Sequence, residues 1–269
     1  MADGEGRFGL EGKTCIVTGG GGGIGREIAL GLAREKAFVV LLDLNIATAD
    51  ETRALVRQTG SECVSFKCDV SKKDEVEGVA NALLEQFGSS ADVLINNAAV
   101  NHLAALADTR LDDWNRVIAI NLTSYFICAQ VFGRAMLEKG AGAVVNVGSL
   151  VANYVSPGQS VYSVAKAGVT MLSKALAVEW APQGVRSNTV LPGFVMTPMS
   201  KATYEVPGLL EARTKAIPAR RIGQPSEIAD AVLYLASPLS SYVNGTEIVV
   251  DGGFTPNLVH LVPRFVGRK

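Results

Sequence analysis

The chain has 269 residues, 48% hydrophobic, 19% charged and only 6% aromatic, with a formal net charge of -1. That is the make-up of a globular protein built on Val, Ile, Leu, Ala and Gly, and its charge excludes any general attraction to nucleic acid or an anionic membrane. No Pro/Ser-rich stretch or charge run marks a linker, so residues 1–269 read as one domain, with 1–9 a flexible N-terminal extension.

The N-terminal MADGEGRFGLEGK lacks the apolar region of a signal peptide, and no run approaches the ~18 consecutive apolar residues of a membrane span, which points to a cytoplasmic protein. Thr14–Thr18, short and β-branched, reads as the first strand. It leads into Thr18-Gly19-Gly20-Gly21-Gly22-Gly23-Ile24-Gly25, which opens a helical pattern at 24–36. Glycines there tolerate positive φ and let the backbone approach a pyrophosphate, while the N–H groups and dipole of the following helix favour negative charge. The run satisfies G-x-G-x-x-G through Gly20, Gly22 and Gly25. A merely flexible turn is the competing reading, and the placement between strand and helix favours phosphate binding. The second strand, 38–42, ends on Asp43, 18 residues beyond Gly25. A carboxylate there accepts hydrogen bonds from the adenosine ribose hydroxyls and repels a 2′-phosphate, so NAD is favoured over NADP. Arg26, a cation just inside the first helix, argues the other way, and a cap on the next helix is the alternative reading of Asp43.

Helical patterns at 47–59, 72–87, Leu111–Lys139, 162–181 and Pro225–Ala236 alternate with strands at 64–68, 93–95, 143–147, 186–190 and Glu247–Val250. Gly60, Gly88, Gly140 and Gly184 stand where helices stop. Strands apolar on both faces need cover on both sides, so the fold class is α/β: a doubly wound parallel sheet of about seven strands with helices on both faces. Residues 194–224, with Pro198, Pro207, Pro218, Arg220 and Arg221, break the rhythm and read as a substrate lid, against the reading of an ordered surface excursion. Cys15, Cys63, Cys68 and Cys128 are too dispersed for a zinc site or disulfide framework and read as reduced core thiols. His102 and His260 are too few for a metal site, so no metal is expected.

Tyr162 and Lys166 stand one helical turn apart, just after Ser149 at a strand end. A neighbouring ammonium is expected to lower the phenol's pKa and make Tyr162 an acid/base. Together, Thr18-Gly-x-x-x-Gly23-Ile-Gly25, Asp69-Val70, Asn96-Asn97-Ala98-Ala99, Asn121, Ser149, Tyr162-x-x-x-Lys166, Pro192-Gly193 and Thr197 resemble the short-chain dehydrogenase/reductase family, from about Leu10 to Gly253.

The resemblance implies a Rossmann-type oxidoreductase with a catalytic tetrad. Tyr162 would be the acid/base, Ser149 would bond the substrate oxygen, and Lys166 would hold the nicotinamide ribose. Asn121 would hold a relay water. It also implies that Gly19, Gly22, Gly23, Ile24 and Gly25 surround the phosphates and Asp69 and Val70 meet the adenine. Asn97 and Ala98 would meet the central ribose region, and Pro192, Gly193 and Thr197 the nicotinamide end. Ala99 stands where the family usually has glycine, and Gly22 where NADP-preferring members carry a basic residue.

Substrate contacts are expected from Val151, Asn153, Tyr154, Gln159, Phe194 and Met199, whose amides suit a polyol, sugar or other secondary alcohol. His102 is a further candidate. The alternatives are a 3-oxoacyl-(acyl-carrier-protein) reductase using NADP(H) and a non-catalytic dinucleotide sensor. A serine hydrolase is excluded by the lack of G-x-S-x-G around Ser149. The resemblance further implies a homotetramer through long helices and the last strand, with the apolar tail at 254–269 reaching a neighbouring subunit or packing on its own.

Overall fold

The computed structural model describes residues 6–257. One seven-stranded sheet organises them, its strands all parallel in the order β3-β2-β1-β4-β5-β6-β7. The strands are β1 Thr14–Thr18, β2 Phe38–Asp43, β3 Cys63–Lys67, β4 Val93–Asn96, β5 Gly142–Val147, β6 Val185–Pro192 and β7 Glu247–Val250. Each lies within two residues of its predicted limits. Ile16 of β1 pairs with Val40 of β2 on one side and Leu94 of β4 on the other. The order therefore reverses beside β1, and a crevice opens at the carboxyl ends of β1 and β4, where open α/β sheets bind ligands.

The helices are α1 Gly23–Arg34, α2 Ile46–Gln58, α3 Lys73–Phe87, α4 Leu111–Ile118, α5 Ser124–Lys139, α6 Ser160–Trp180, α7 Pro198–Tyr204, α8 Leu209–Ala216 and α9 Pro225–Ala236. Apolar alternation in the strands feeds two cores. Cys15, Val17, Val39, Leu41 and Ile95 face α1, α2 and α9 through Ile28, Leu32, Val56, Ile228 and Val232. Ile16, Val40, Leu42 and Leu94 face α3, α5 and α6 through Val76, Leu83, Ile127, Phe132, Met136 and Leu176. Burying such a side chain stabilises by about 1.5–3 kcal/mol relative to leaving it exposed, which explains why both strand faces are apolar.

The single helix expected over Leu111–Lys139 is a continuous helical path with a π turn at Ala119–Thr123 between α4 and α5. Leu111–Lys139 and Ser160–Gln183 are long and apolar enough to cross a bilayer by length and composition; half of each qualifying window is buried inside this protein. The stretch 194–224 carries α7 and α8, neither of which buries a residue. Its two ends are joined: Met196 N donates to Gly223 O at 3.0 Å and Gly223 N to Phe194 O at 2.9 Å.

The flexible extension expected over 1–9 is corrected over 6–9. Arg7 N and Phe8 N donate to the Glu35 carboxylate at 3.1 and 2.7 Å, and Phe8 packs against the first core. Of the tail expected over 254–269, Phe254 to Asn257 form a turn held by Asp251; residues 258–269 lie outside the described residues, as do 1–5.

Candidate active site

The loop after β1 is shaped by main-chain contacts. Gly19 adopts φ +64°, and a Cβ there would come within 2.9 Å of the Ala98 Cα; a Cβ on Gly25 would overlap the Gly19 carbonyl oxygen. Only glycine fits either place. Thr18 Oγ1 accepts from Asn97 N and Ala98 N at 2.9 and 3.1 Å, and Asn97 Nδ2 donates to Thr18 O and Gly19 O at 3.0 and 3.1 Å. Asn97 is thus a brace between the β1 and β4 ends. Gly22 caps α1 with no side chain on the helix N–H groups, and the first turn of α1 holds no acidic residue. Uncapped donors and a helix dipole aimed into the crevice fit a pyrophosphate.

Asp43 Oδ2 accepts from Gly21 N and its Oδ1 from Asn45 N, both at 2.9 Å. The cap on α2 is Asn45, whose side chain accepts from Ala47 N at 3.2 Å. Asp43 therefore fixes the glycine loop while lining the cavity, together with Leu44, Asp69 and Val70. Arg26 is used elsewhere: its guanidinium donates to Gly21 O at 2.8 Å, Glu51 at 3.0 Å and Thr52 at 3.0 Å.

A cavity of about 990 Å³ runs from this loop past Ser149, Tyr162 and Lys166 to α7 and α8. Gly19, Gly22, Gly23, Ile24, Asn97, Ala98, Ala99, Pro192, Gly193 and Thr197 line it, whereas Gly25 stands behind the loop. Ser149, two residues beyond β5, lines the cavity with Tyr162, and its hydroxyl accepts from Val151 N at 3.4 Å. Lys166 is 1% exposed, and its Nζ donates to Val147 O at 2.8 Å and to the hydroxyl of Tyr125 at 3.0 Å.

Burial sets the proton affinities here. It pushes the Tyr162 phenol up to about 12 against the smaller opposing influence of the Ser149 hydroxyl, and pulls Lys166 down to about 7. This corrects the expectation that Lys166 lowers Tyr162. The ammonium is itself desolvated and engaged by Tyr125 and Val147, with its Nζ 5.7 Å from the Tyr162 ring centroid.

Asn121 is fully buried in the π turn, where its amide exchanges two 2.8 Å hydrogen bonds with the main chain of Val100. Its side chain is committed to Val100. Sequence reasoning missed Tyr125. It is 1% exposed, its hydroxyl donates to Val147 O at 3.1 Å, and its ring centroid lies 4.9 Å from Lys166 Nζ. In the sequence it resembles any core aromatic of an apolar helix; its spacing of four from Asn121 was the available signal.

At the far end, Val151, Tyr154, Gln159, Phe194 and Met199 line the cavity. Asn153 does not: it is exposed, and its Nδ2 donates to Glu247 at 2.7 Å. His102 is also absent from the wall, which instead includes Tyr204, Arg213 and Phe254. Thr197 caps α7 reciprocally with Ser200.

Known proteins similar to this chain include dehydrogenases and reductases. The family model described as Enoyl-(Acyl carrier protein) reductase matches residues 19–255. D-threitol dehydrogenase of Mycolicibacterium smegmatis is 39% identical over 92% of this chain and 95% of its own length. A 3-oxoacyl-(acyl-carrier-protein) reductase of Thermotoga maritima is 36% identical over 91% and 98%. The crystal structure of a short-chain type dehydrogenase/reductase from Mycobacterium marinum, 32% identical, superposes with a TM-score of 0.86 over 91% of this chain and 96% of that one.

Proposed function

Because this chain belongs to the short-chain dehydrogenase/reductase family, and is therefore an NAD(P)-dependent oxidoreductase acting on CH–OH groups, we propose that it uses NAD to interconvert a small secondary alcohol and its ketone. The observation that carries this is that Ser149, Tyr162 and Lys166 open into the same cavity as the uncapped end of α1.

When bound, NAD supplies the hydride acceptor, and NADH the donor. Gly19, Gly22, Gly23 and Ile24, with Gly25 behind them, would hold its pyrophosphate, Asp43 its adenosine ribose, and Asp69 and Val70 its adenine. Tyr162 and Lys166 hold its nicotinamide ribose, with Asn97, Ala98, Pro192, Gly193 and Thr197 completing the seat. Ser149 donates to the substrate oxygen, stabilising the charge that grows there as a carbonyl is reduced. In oxidation Tyr162 takes the hydroxyl proton while the same carbon gives up a hydride; in reduction it returns the proton. A phenol held at about 12 is a ready donor at neutral pH, so oxidation gains with rising pH. Tyr162→Phe tests the assignment: kcat/KM should fall by about 10²–10⁴, with NAD binding, still held by Lys166 and the glycine loop, weakened by no more than about tenfold. Undiminished turnover would refute it.

Asp43 supports NAD, since a 2′-phosphate beside it meets like charge, and Arg26 is engaged with Glu51. A preference for NAD of at least about tenfold in kcat/KM is expected. A polyol or sugar alcohol is the favoured class, in keeping with the likeness to D-threitol dehydrogenase. The likeness to the Thermotoga reductase keeps a 3-oxoacyl thioester as the second reading. Preference for NADPH together with turnover only of thioesters would select it.

We also propose a homotetramer. Val164, Met171 and Val178 recur every seven residues along α6 and are exposed, as are Phe126 on α5 and Val249 on β7, giving apolar faces suited to a second copy. Light scattering should return four times the chain mass. The cytoplasm is the proposed compartment, consistent with four buried free thiols.

A further inference from the structure

Among the described residues, four charged side chains line the cavity: Asp43, Asp69, Lys166 and Arg213. The first two stand at the glycine-loop end, and Lys166 is held by Tyr125 and Val147. Arg213, on α8, is the charge at the α7–α8 end. Its guanidinium carbon lies 4.7 Å from the ring centroid of Phe194 and 5.3 Å from that of Tyr204. Phe194 is itself set edge-on against Phe254, with centroids 5.0 Å apart. Two aromatic faces thus hold the guanidinium by cation–π contact, which engages its face and leaves the in-plane N–H donors unused.

Among the described residues Arg213 has no acidic partner and no hydrogen-bond acceptor for its side chain. Other arginines near the cavity are spent: Arg26 on Glu51 and Arg221 on Glu227. A half-buried cation with a rigid fork and no acceptor matches the planar geometry of a carboxylate. One guanidinium suits a monoanion better than a phosphate dianion, which takes more donors. The wall that holds Arg213 and Ser149 also includes the apolar Val151, Val155 and Met199.

We infer that the substrate is a secondary alcohol that also carries a carboxylate, its hydroxyl at Ser149 and Tyr162, its carboxylate on Arg213 and its carbon chain along the apolar wall. This rests on the oxidoreductase reading above and names the class of alcohol. Arg213 is then the residue that separates hydroxy acids from neutral alcohols.

The test compares wild type, Arg213→Gln and Arg213→Lys as full-length proteins. D-gluconate is measured against D-glucitol and 5-hydroxyhexanoate against 2-hexanol, with hexanoate as a binding probe that cannot react. The wild type should prefer the acid of each pair by about 10- to 100-fold in kcat/KM. Arg213→Gln should abolish that preference through KM, leaving the KM for NAD and the turnover of neutral alcohols unchanged, and Arg213→Lys should restore part of it. Hexanoate should raise the Tm of the wild type and not of Arg213→Gln. Equal use of acid and neutral alcohol, unchanged by Arg213→Gln, overturns the inference and leaves the oxidoreductase reading standing. A raised KM for NAD in Arg213→Gln with that for the acid unmoved also overturns it, because the guanidinium would then serve the cofactor. Turnover of no alcohol by the wild type sinks both readings.

Discussion

The two ends of the cavity are built from different materials. At the glycine-loop end the wall is main chain, held between the fully buried strands β1 and β4 and cross-braced by Thr18 and Asn97. At the α7–α8 end it is side chain: Phe194, Met199, Tyr204 and Arg213, most of them on helices that bury nothing and are tied down at their root by the Val195–Gly223 bridge. A phosphate cradle depends on where the backbone runs, so few substitutions are tolerated. Substrate fit depends on which side chains a surface segment presents, and those can be exchanged without touching the sheet. Cofactor class and substrate class are thus physically separable in this molecule.

Substitutions at each end sharpen that contrast. The largest effect is expected from Gly25→Ala, whose Cβ would strike the Gly19 carbonyl and come within 2.8 Å of Asn97 Nδ2. Overpacking against backbone should cost about 3 kcal/mol, lower Tm by roughly 6–12 °C, and eliminate saturable NAD binding in a fluorescence titration. Retained binding would mean that the cradle is not the rigid element described.

Tyr125→Phe should act at the junction of the two ends, removing the hydroxyl that accepts from Lys166 while keeping the ring, with kcat falling about tenfold. A pH signature accompanies it. The unfolded chain keeps the Lys166 proton up to roughly 10.4, whereas the folded protein releases it near 7. Between those values the unfolded state binds more protons, so this residue makes stability rise with pH. Losing an acceptor disfavours the ammonium further and should move the lower edge of that rise to lower pH, read as Tm against pH. An unmoved edge would reduce Tyr125 to packing.

The smallest effect belongs to Asn153→Ala. Its amide faces Glu247 outside the cavity, so stability should change by no more than about 0.5 kcal/mol, and kcat/KM should be unaltered for acids and neutral alcohols alike. A specific loss toward polyols would return Asn153 to the substrate.

The strands and the glycine loop were legible because parallel pairing and phosphate approach leave local marks: runs apolar on both faces, and glycine where a Cβ has no room. Tyr162, Lys166 and Ser149 were legible not by spacing alone but through the resemblance carried by motifs along the whole chain. The direction of the Tyr162 shift was not, because it depends on how deeply the hydroxyl and the ammonium are buried, and burial is a property of the assembled core. Arg213 and Tyr125 were hidden for a related reason. Nothing in the spacing of a short surface helix says that its arginine lies between rings from two other segments, and nothing in an apolar helix says that one of its aromatics carries a lysine on its hydroxyl.

The π turn at Ala119–Thr123 carries a consequence for the geometry of the whole site. One surplus residue in a helix advances everything after it by about 100° of azimuth. Upstream of that phase step, Val117 faces the small cluster with Val161 and Ala165; downstream, Tyr125 faces Lys166 and Phe132 faces the sheet. Without the step, a regular helix could serve one of those bearings and not the other. Deleting a single residue there would leave the chain just as helical and just as apolar, yet swing the lysine's hydroxyl partner a quarter-turn out of alignment.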